Sequence, residues 1–289
     1  MTTVKSTTSR SGSGARGGSA ADSGLRALIV TIYGLYAREV GGWLSVSSLI
    51  RLMAELGVDE QAVRSSISRL KRRGILESER IDGRAGYALS AHAREILAAG
   101  DRRIFRRRRG TLDEGWVLAV FSVPESERRR RHTLRSRLSW LGFGSVGPGV
   151  WIAPAHLSAE ARDVLLREEL AEYVDLFEGR YLGFATAPEQ VARWWDLESL
   201  DALYAQFCSD HEPVLARWRA SRGKDETGMA FADYVRVLTA WRRLPYLDPG
   251  LAPELLPRDW SGSRAADLFF ALRRRLEEPS HRFVEGVRQ

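Results

Sequence analysis

The sequence predicts an α+β protein with more than one domain. Its 289 residues exceed the roughly 250 residues at which a single hydrophobic core stops growing. Apolar residues recur with helical spacing near both ends of the chain, and short apolar runs typical of strands lie between residues 75 and 182. A hydrophobic content of 44%, with 9 Trp, 8 Tyr and 10 Phe, excludes wholesale disorder because it supplies enough apolar surface for folded cores.

Cysteine content and the polar start of the chain favour a cytoplasmic protein. Cys208 is the single cysteine, so no intrachain disulfide can form, and the first residues lack the apolar stretch of a secretory signal. The longest uncharged stretch, residues 138–159, contains four glycines and two prolines, which a membrane-spanning helix would not carry. We therefore expect no membrane span.

Positive charge is concentrated in the first third of the chain. Residues 25–110 hold 17 basic and 9 acidic residues, a net charge of +8, whereas the rest of the chain is close to neutral. A basic module joined to a neutral remainder is typical of a protein that binds a polyanion such as DNA. Lysine contributes only Lys5, Lys71 and Lys224, so the argument rests on where the charge lies and not on the number of arginines.

The N-terminal part predicts a tail followed by helices. Residues 1–24 are rich in Ser, Gly and Thr and have no apolar period, so we predict a disordered tail. The segment 25–36 carries one apolar stripe and predicts a first helix, which the Gly41-Gly42 pair ends. Ser45 can cap a second helix, which Gly57 ends.

A third helix and a hairpin follow. Asp59 can cap a helix that runs to about Arg73. After Gly74 the helical period ends, and the next two runs, 75–80 and 85–89, flank Asp82-Gly83, a dipeptide suited to a tight hairpin turn.

A further helix leads towards the next domain. Ser90 can cap it, and Ile96, Leu97 and Ile104 are expected to face inward along a helix that runs to about residue 107. Three helices and a two-stranded hairpin predict a winged helix-turn-helix DNA-binding domain over residues 25–110.

The third helix separates an apolar stripe from a polar face. Val63, Ile67 and Leu70 fall together on a helical wheel, and the opposite face is suited to the major groove, where Arg reads guanine, Gln reads adenine and Ser reaches phosphates. A merely solvated helix face is the alternative. The predicted DNA contacts come from this helix and from the hairpin tip: Gln61, Arg64, Ser65, Ser68, Arg69, Arg72, Arg80 and Arg84.

Residues 111–187 predict a ferredoxin-like domain, because their elements follow the order βαββαβ. The strands are predicted over residues 116–123, 143–146, 150–153 and 174–182, and the helices over 125–141 and 158–169. Gly142, Gly144 and Gly147 match the GxGxxG spacing of dinucleotide-binding loops, but a helix precedes them and a strand follows. We therefore predict that these glycines shape a hairpin.

Residues 188–289 predict an all-α domain. Its helical periods lie over residues 191–207, 213–222, 231–241 and 263–276.

Four blocks of sequence resemble the PaaX family of bacterial transcriptional repressors. They are VRSSISRLKRRGIL (63–76), GRAGYALS (83–90), LGFGSVGPGVWIAP (141–154) and RRLPYLDPGLAPELLPRDWSG (242–262). The resemblance covers residues from about 25 to the end of the chain. It implies an N-terminal winged helix, a central ferredoxin-like domain similar to a small CRISPR-associated nuclease, and a helical C-terminal domain. The last of these, residues 188–289, would then serve effector binding and dimerisation.

The resemblance also implies a function. Well-known family members repress phenylacetate-degradation genes as dimers, and phenylacetyl-coenzyme A releases them. A homodimer is expected to bind an inverted-repeat operator in double-stranded DNA. Other members serve other aromatic pathways, so the effector is expected to be phenylacetyl-CoA or a related aryl-acyl-CoA. Residues 1–24 depart from the family pattern.

An aryl-acyl-CoA effector needs a flat apolar slot and arginines for its phosphates. Eight of the nine tryptophans lie beyond residue 110, and ordinary core packing is the alternative explanation for them. One block combines aromatic and basic residues and is the predicted effector site: Trp241, Arg242, Arg243, Tyr246 and Trp260. The arginine run 128–131 could contact the phosphates instead, although a solvated helix start is the alternative.

No catalytic residue, metal or cofactor is predicted. The first strand of the central domain ends in Phe121-Ser122-Val123-Pro124, without the carboxylate that a metal-dependent nuclease needs there. The group Cys208, Asp210, His211 and Glu212 could not hold one metal from one helix. A nucleic-acid-processing enzyme and an effector-independent DNA-binding protein stay open as alternatives.

Overall fold

The fold is α+β, as the sequence predicts. The computed structural model of the protein describes residues 14–106, 108–221 and 226–288, with side chains from residue 23 onward. This part of the chain consists of helices and two small sheets, whose paired strands are antiparallel. No helix in it combines the length and the apolar composition needed to cross a bilayer.

The chain divides into two compact units. The first contains the described residues up to Glu95 together with 227–235 and those from Pro279 onward, and the second contains 96–226 and 236–278. The division falls within three helices. The predicted domain boundaries at 110 and 187 stay a prediction.

The N-terminal helices and strands follow the predicted order, with one additional strand. They are α1 (Gly14–Ile32), β1 (Trp43–Ser45), α2 (Val46–Glu55), α3 (Glu60–Arg72), β2 (Leu76–Ile81), β3 (Arg84–Leu89) and α4 (Ala91–Phe105). The predicted caps are confirmed, because the side chains of Ser45, Asp59 and Ser90 accept hydrogen bonds from the backbone N–H three residues later at 3.0, 2.9 and 3.1 Å.

The start of the first helix differs from the prediction. Helix α1 begins at Gly14 and not at Leu25, and residues 1–13 of the predicted tail lie outside the described residues. Adding a turn to a helix that tertiary packing already holds avoids the cost of nucleation, so a segment without an apolar period can still continue a helix. After Ile32 the helix continues as one π-helical turn (Tyr33–Ala37), tightens to a 3-10 turn (Arg38–Val40) and ends at Gly41, whose φ is +90°.

A third strand joins the predicted hairpin. Strand β1 pairs with β3, so the sheet has the order β1-β3-β2. Gly86 makes this pairing possible, because a Cβ atom there would lie 2.5 Å from the carbonyl oxygen of Leu44 and 2.4 Å from the ring of Trp43. Three residues are too short a run for alternation to reveal a strand, and β1 was therefore not predicted.

Ile96 was wrongly predicted to face inward. It is 49% exposed and lies where the chain passes from the first unit to the second. A helix that serves two units has no single core along its length, so its apolar period does not define one buried face.

The central region has the predicted order of elements. They are β4 (Trp116–Phe121), α5 (Arg128–Leu141), β5 (Gly144–Gly147), β6 (Val150–Pro154), α6 (Ser158–Arg167) and β7 (Val174–Gly179). Their antiparallel sheet has the order β5-β6-β4-β7, with β4 and β6 at its centre. The core packed on this sheet includes Val117, Ala119, Leu134, Leu138 and Leu141.

Two of the glycines with GxGxxG spacing, Gly144 and Gly147, are the ends of β5, the first strand of the predicted hairpin. Gly142 ends α5 with a φ of +93°, and Gly149 lies in the β5–β6 turn with a φ of +74°. A Cβ atom at Gly144 would lie 2.6 Å from the backbone oxygen of Trp194. These glycines therefore serve close packing and turn geometry.

The C-terminal part is helical, but its helices differ from the predicted ones. They are α7 (Ala187–Trp194), α8 (Leu197–Ala220), α9 (Thr227–Trp241), α10 (Leu244–Leu247) and α11 (Ser261–Arg288). The predicted helix over 191–207 is broken because Asp196 caps α8 by accepting a hydrogen bond from the backbone N–H of Ser199 at 3.0 Å. Helix α8 then runs through Pro213 without a break.

His156 is a buried titratable group in the second unit. Its side chain is 6% exposed, and Nδ1 lies 3.9 Å from Oε2 of Glu114. Burial and the positive charge of Arg108 lower the pKa of His156, and they outweigh the opposing influence of Glu114. The folded protein therefore keeps this ring neutral at pH values at which the unfolded chain protonates it.

We expect this shift to make the stability depend on pH. As the pH falls below about 6.5, the unfolded chain binds a proton that the folded protein does not, so the free energy of unfolding decreases. Urea unfolding between about pH 7 and pH 5 should show a weaker pH dependence in His156→Gln than in the wild type. The exposed His92→Gln is the control, and equal slopes in all three proteins would contradict the assignment.

Candidate nucleic-acid interface and aromatic cluster

Helix α3 buries one face and exposes the other. Val63, Ile67 and Leu70 are buried in the first unit. The predicted DNA-contacting residues of this helix lie on the other side, where all are exposed except Arg69, which is half-buried: Gln61, Arg64, Ser65, Ser68, Arg69 and Arg72. The structure therefore brings these six side chains together on one accessible surface.

The polar side chains of α3 are held by contacts within the helix. Arg64 donates from Nε to Oε1 of Glu60 at 2.7 Å, and both side chains are more than half exposed. Arg72 donates to the hydroxyl of Ser68 at 3.4 Å. Exposed pairs of this kind contribute little stability, so Arg64 can exchange Glu60 for another acceptor at low cost.

The other two predicted arginines, Arg80 and Arg84, lie on either side of the turn of the β2–β3 hairpin. Its two-residue loop has positive φ at Asp82 (+50°) and Gly83 (+75°), which is the geometry of a type I′ turn. Arg80 donates to the carbonyl oxygen of Gly83 at 3.2 Å, and Arg84 is exposed on the other side of the turn. The ammonium of Lys71 lies 5.7 Å from the ring centroid of Tyr87 on β3, which connects α3 to the sheet.

Arg26 is a basic residue near α3 that sequence reasoning missed. Partial desolvation lowers the pKa of Arg26, and the charges of Arg73 and Arg69 lower it further. The end of α3 and the residue after it therefore lie close enough to α1 for these charges to influence Arg26. No pattern within α1 could reveal these neighbours, because Arg69 and Arg73 reach Arg26 only through tertiary packing.

Two members of the predicted effector block belong to the core of the second unit. Trp241 has no exposed surface, donates to the carbonyl oxygen of Ile104 at 3.1 Å and stacks on Phe269 with a centroid distance of 4.8 Å. Trp260 is 8% exposed and packs its edge against Tyr204. Neither indole presents a free face to a ligand, and the alternative of core packing is therefore favoured for both.

The other three members of the block lie in different surroundings. Arg242 is half-buried, and this burial lowers the pKa of its guanidinium, whereas Arg243 is exposed. Tyr246 packs against Trp140, with ring centroids 5.1 Å apart. The structure thus pairs Tyr246 with a tryptophan of α5, a residue that was not among the predicted effector contacts. The assignment of effector contacts to this block stays a prediction.

The arginine run at the start of α5 is divided among several contacts. Arg128 and Arg131 line the same open groove as Tyr246. Arg130 pairs with Glu169 across 3.7 Å, and Arg129 is exposed. The alternative phosphate contacts and one of the predicted effector residues therefore meet at one place on the second unit.

The possible metal ligands of α8 have other partners. Cys208 is buried, Asp210 accepts a hydrogen bond from Gln206 at 2.7 Å, and Glu212 pairs with Arg264 across 3.2 Å. Among residues 14–106, 108–221 and 226–288, no three His, Cys, Asp or Glu side chains converge on a common point where a metal could bind.

Three family models match the chain one after another. A PaaX-like protein model matches residues 25–93, a PaaX central Cas2-like domain matches 109–191, and a PaaX-like C-terminal domain matches 195–286. The transcriptional repressor PaaX of Escherichia coli strain K12 is 28% identical over 263 residues, which cover 89% of this chain and 82% of the relative.

A solved structure has a similar fold. The uncharacterised protein Rv0674 from Mycobacterium tuberculosis aligns with a TM-score of 0.57 and 23% identity over 88% of this chain and all of that protein. The fold and the matches define a protein of the PaaX-like transcriptional repressor class. The chain belongs to the PaaX family, as the four sequence blocks predicted.

The cap of α3 offers a direct test of how this helix is held. Asp59→Ala removes the acceptor for the backbone N–H of Ala62 and should lower the free energy of unfolding by about 1 kcal/mol, measured by urea denaturation. Asp59→Asn retains a capping oxygen and should stay close to the wild type. Equal losses in the two variants would contradict the capping role.

Proposed function

We propose that the chain is a sequence-specific DNA-binding repressor whose helix α3 enters the major groove. The observation that carries this proposal is the division of α3 into a buried stripe and an exposed face of Gln, Ser and Arg. The order of three helices and a β-hairpin supports a winged helix-turn-helix, in which Arg80 and Arg84 contact the DNA backbone. Arg26 and Arg73 extend the same positive surface.

The central region supports a ferredoxin-like domain in a non-catalytic role. Its βαββαβ order and the sheet order β5-β6-β4-β7 support that assignment. Strand β4 ends at Phe121, and Ser122, Val123 and Pro124 follow it, so the strand itself supplies no carboxylate at its end to hold a metal for phosphodiester cleavage. Metal-dependent cleavage of labelled DNA by the full chain would contradict this role.

A homodimer would place two α3 helices on an inverted repeat. Recognition helices of dimeric repressors occupy successive major grooves about 34 Å apart. An aryl-acyl-CoA effector, phenylacetyl-CoA or a relative of it, then releases the repressor if it binds better to a dimer state with a different spacing. It can shift DNA binding only by its difference in affinity for the two states.

Two arginine substitutions separate base contacts from backbone contacts. Arg64→Ala should lower affinity for the operator by at least about 1 kcal/mol, with much less effect on unrelated DNA, because a bidentate contact to guanine is lost. Arg80→Ala should weaken binding to DNA of every sequence alike and reduce the salt dependence of binding. Fluorescence anisotropy with DNA from the upstream intergenic region measures both effects.

The control for this pair is Arg162→Ala, which removes an exposed arginine of α6 and should leave DNA affinity unchanged. Equal, sequence-independent losses for Arg64→Ala and Arg80→Ala would contradict base recognition by α3. Such a result would favour a protein that contacts only the sugar-phosphate backbone of DNA.

The effector half of the proposal has its own test. Phenylacetyl-CoA should lower the affinity of the wild-type chain for the operator in the same anisotropy assay, because the ligand selects the state that does not fit the repeat. Free phenylacetate at the same concentration is the control. Unchanged affinity with every aryl-acyl-CoA would overturn release by an effector and leave the DNA-binding half standing.

A further inference from the structure

An open groove lies along α5 in the second unit. Its volume of about 670 Å³ falls within the range of small-molecule sites, roughly 300 to 1,000 Å³. Arginine, histidine and aromatic side chains line it, chiefly Arg128, Arg131, His132, Arg135, Trp140 and Tyr246. The groove therefore combines two kinds of recognition chemistry within one small-molecule volume.

Two of these arginines have free guanidinium groups. Those of Arg128 and Arg135 are exposed and make no hydrogen bond or ion pair with another residue in the described part of the chain. Arg131 differs, because it pairs with Glu125 at 2.7 Å and donates to the carbonyl oxygen of Val123 at 2.8 Å.

Helical spacing puts the two free guanidinium groups on one face. Arg128, His132 and Arg135 are separated by four and three residues, so they follow one side of α5, and all three line the groove. Arginine recognises phosphate oxygens with paired N–H groups. A phosphate ester entering the groove would meet two guanidinium groups that need not break an existing contact.

An aromatic pair stands in the same groove. The rings of Trp140 and Tyr246 lie 5.1 Å apart, and the guanidinium carbon of Arg103 lies 5.1 and 5.5 Å from their centroids. Arg103 is itself fixed, because it donates to the carbonyl oxygen of Trp140 at 3.0 Å and to Glu160 at 3.1 Å. The pair is therefore held in place before a ligand arrives.

Trp140 keeps much of its surface in solvent. It is 40% exposed, unlike Trp241 and Trp260, which are buried in the core. An indole that is fixed by a neighbouring cation and still open to solvent can stack a planar ring. Trp140 is the tryptophan of this groove and offers the flat apolar surface that the two core indoles do not.

We propose that this groove binds a phosphate ester that carries an aromatic ring, with Arg128 and Arg135 on the phosphates and Trp140 and Tyr246 against the ring. The inference rests on the proposed function, in which such a ligand is the effector, and it moves the ligand site from the buried tryptophans to α5. Nucleotides and coenzyme A thioesters both carry phosphate groups and an aromatic ring.

Isothermal titration of the full chain without DNA tests the groove. Phenylacetyl-CoA, coenzyme A, ATP and free phenylacetate are titrated separately. A thioester site binds phenylacetyl-CoA more tightly than coenzyme A or ATP, a nucleotide site binds all three phosphate esters alike, and either result supports the groove. Phenylacetate lacks phosphates and should not bind. Absence of binding by all three phosphate esters overturns the proposal.

Variants locate the site. Arg128→Ala and Arg135→Ala should each weaken the binding of phosphate esters about tenfold, because each removes a charge-assisted contact. Arg129→Ala is the matched control, since Arg129 is exposed on the same helix and does not line the groove. Trp140→Leu should weaken the binding of ligands whose aromatic ring stacks on the indole. Wild-type affinity in the double variant Arg128→Ala/Arg135→Ala overturns the location.

Operator binding separates this inference from the proposed function. Without ligand, the groove variants should bind operator DNA as the wild type does and should no longer be released by the ligand. If the wild type binds the ligand through the groove but binds no operator, the groove stands and the proposed function fails. If the variants lose DNA affinity without ligand as strongly as they lose ligand affinity, α5 is a nucleic-acid surface and the groove proposal fails.

Discussion

Burial of the Val63, Ile67 and Leu70 stripe is the constraint on which the first unit depends. Once this stripe is packed, the rotation of α3 about its axis is set, and the side of the helix that solvent and partners meet is set with it. The hairpin and α1 then add their arginines around a surface whose orientation is already determined. The polar side chains contribute little to stability themselves, because their contacts are short-range pairs at the surface.

A comparable constraint acts in the second unit, where it separates structural aromatics from accessible ones. Trp241 stacks on Phe269 and donates a hydrogen bond to the carbonyl oxygen of Ile104. Its indole is therefore fully engaged in core contacts. Arg103 does the opposite for Trp140, because it holds the ring at one place without covering it. The same residue type thus supports the fold in one position and leaves a surface for recognition in the other.

Much of the architecture follows from local sequence. The caps at Ser45, Asp59 and Ser90 are one-residue signals, and the Asp82-Gly83 turn follows from the positive φ that few other dipeptides accept. The sequence predicted neither the break before α8 nor the continuation of α8 through Pro213. Several residues along a segment can cap a helix. Tertiary packing selects the one that does, and the helix boundary follows from that choice.

The sequence by itself determined the order of the elements in the central region, the polar and apolar faces of α3, and membership of the PaaX family. These properties depend on spacing along the chain, which the sequence contains completely. Only the tertiary structure decided that Arg26 joins Arg69 and Arg73, that Trp241 and Trp260 are buried, and that Tyr246 meets Trp140. Each of these depends on residues far apart in the chain coming within a few ångströms, and no period or local motif carries that information.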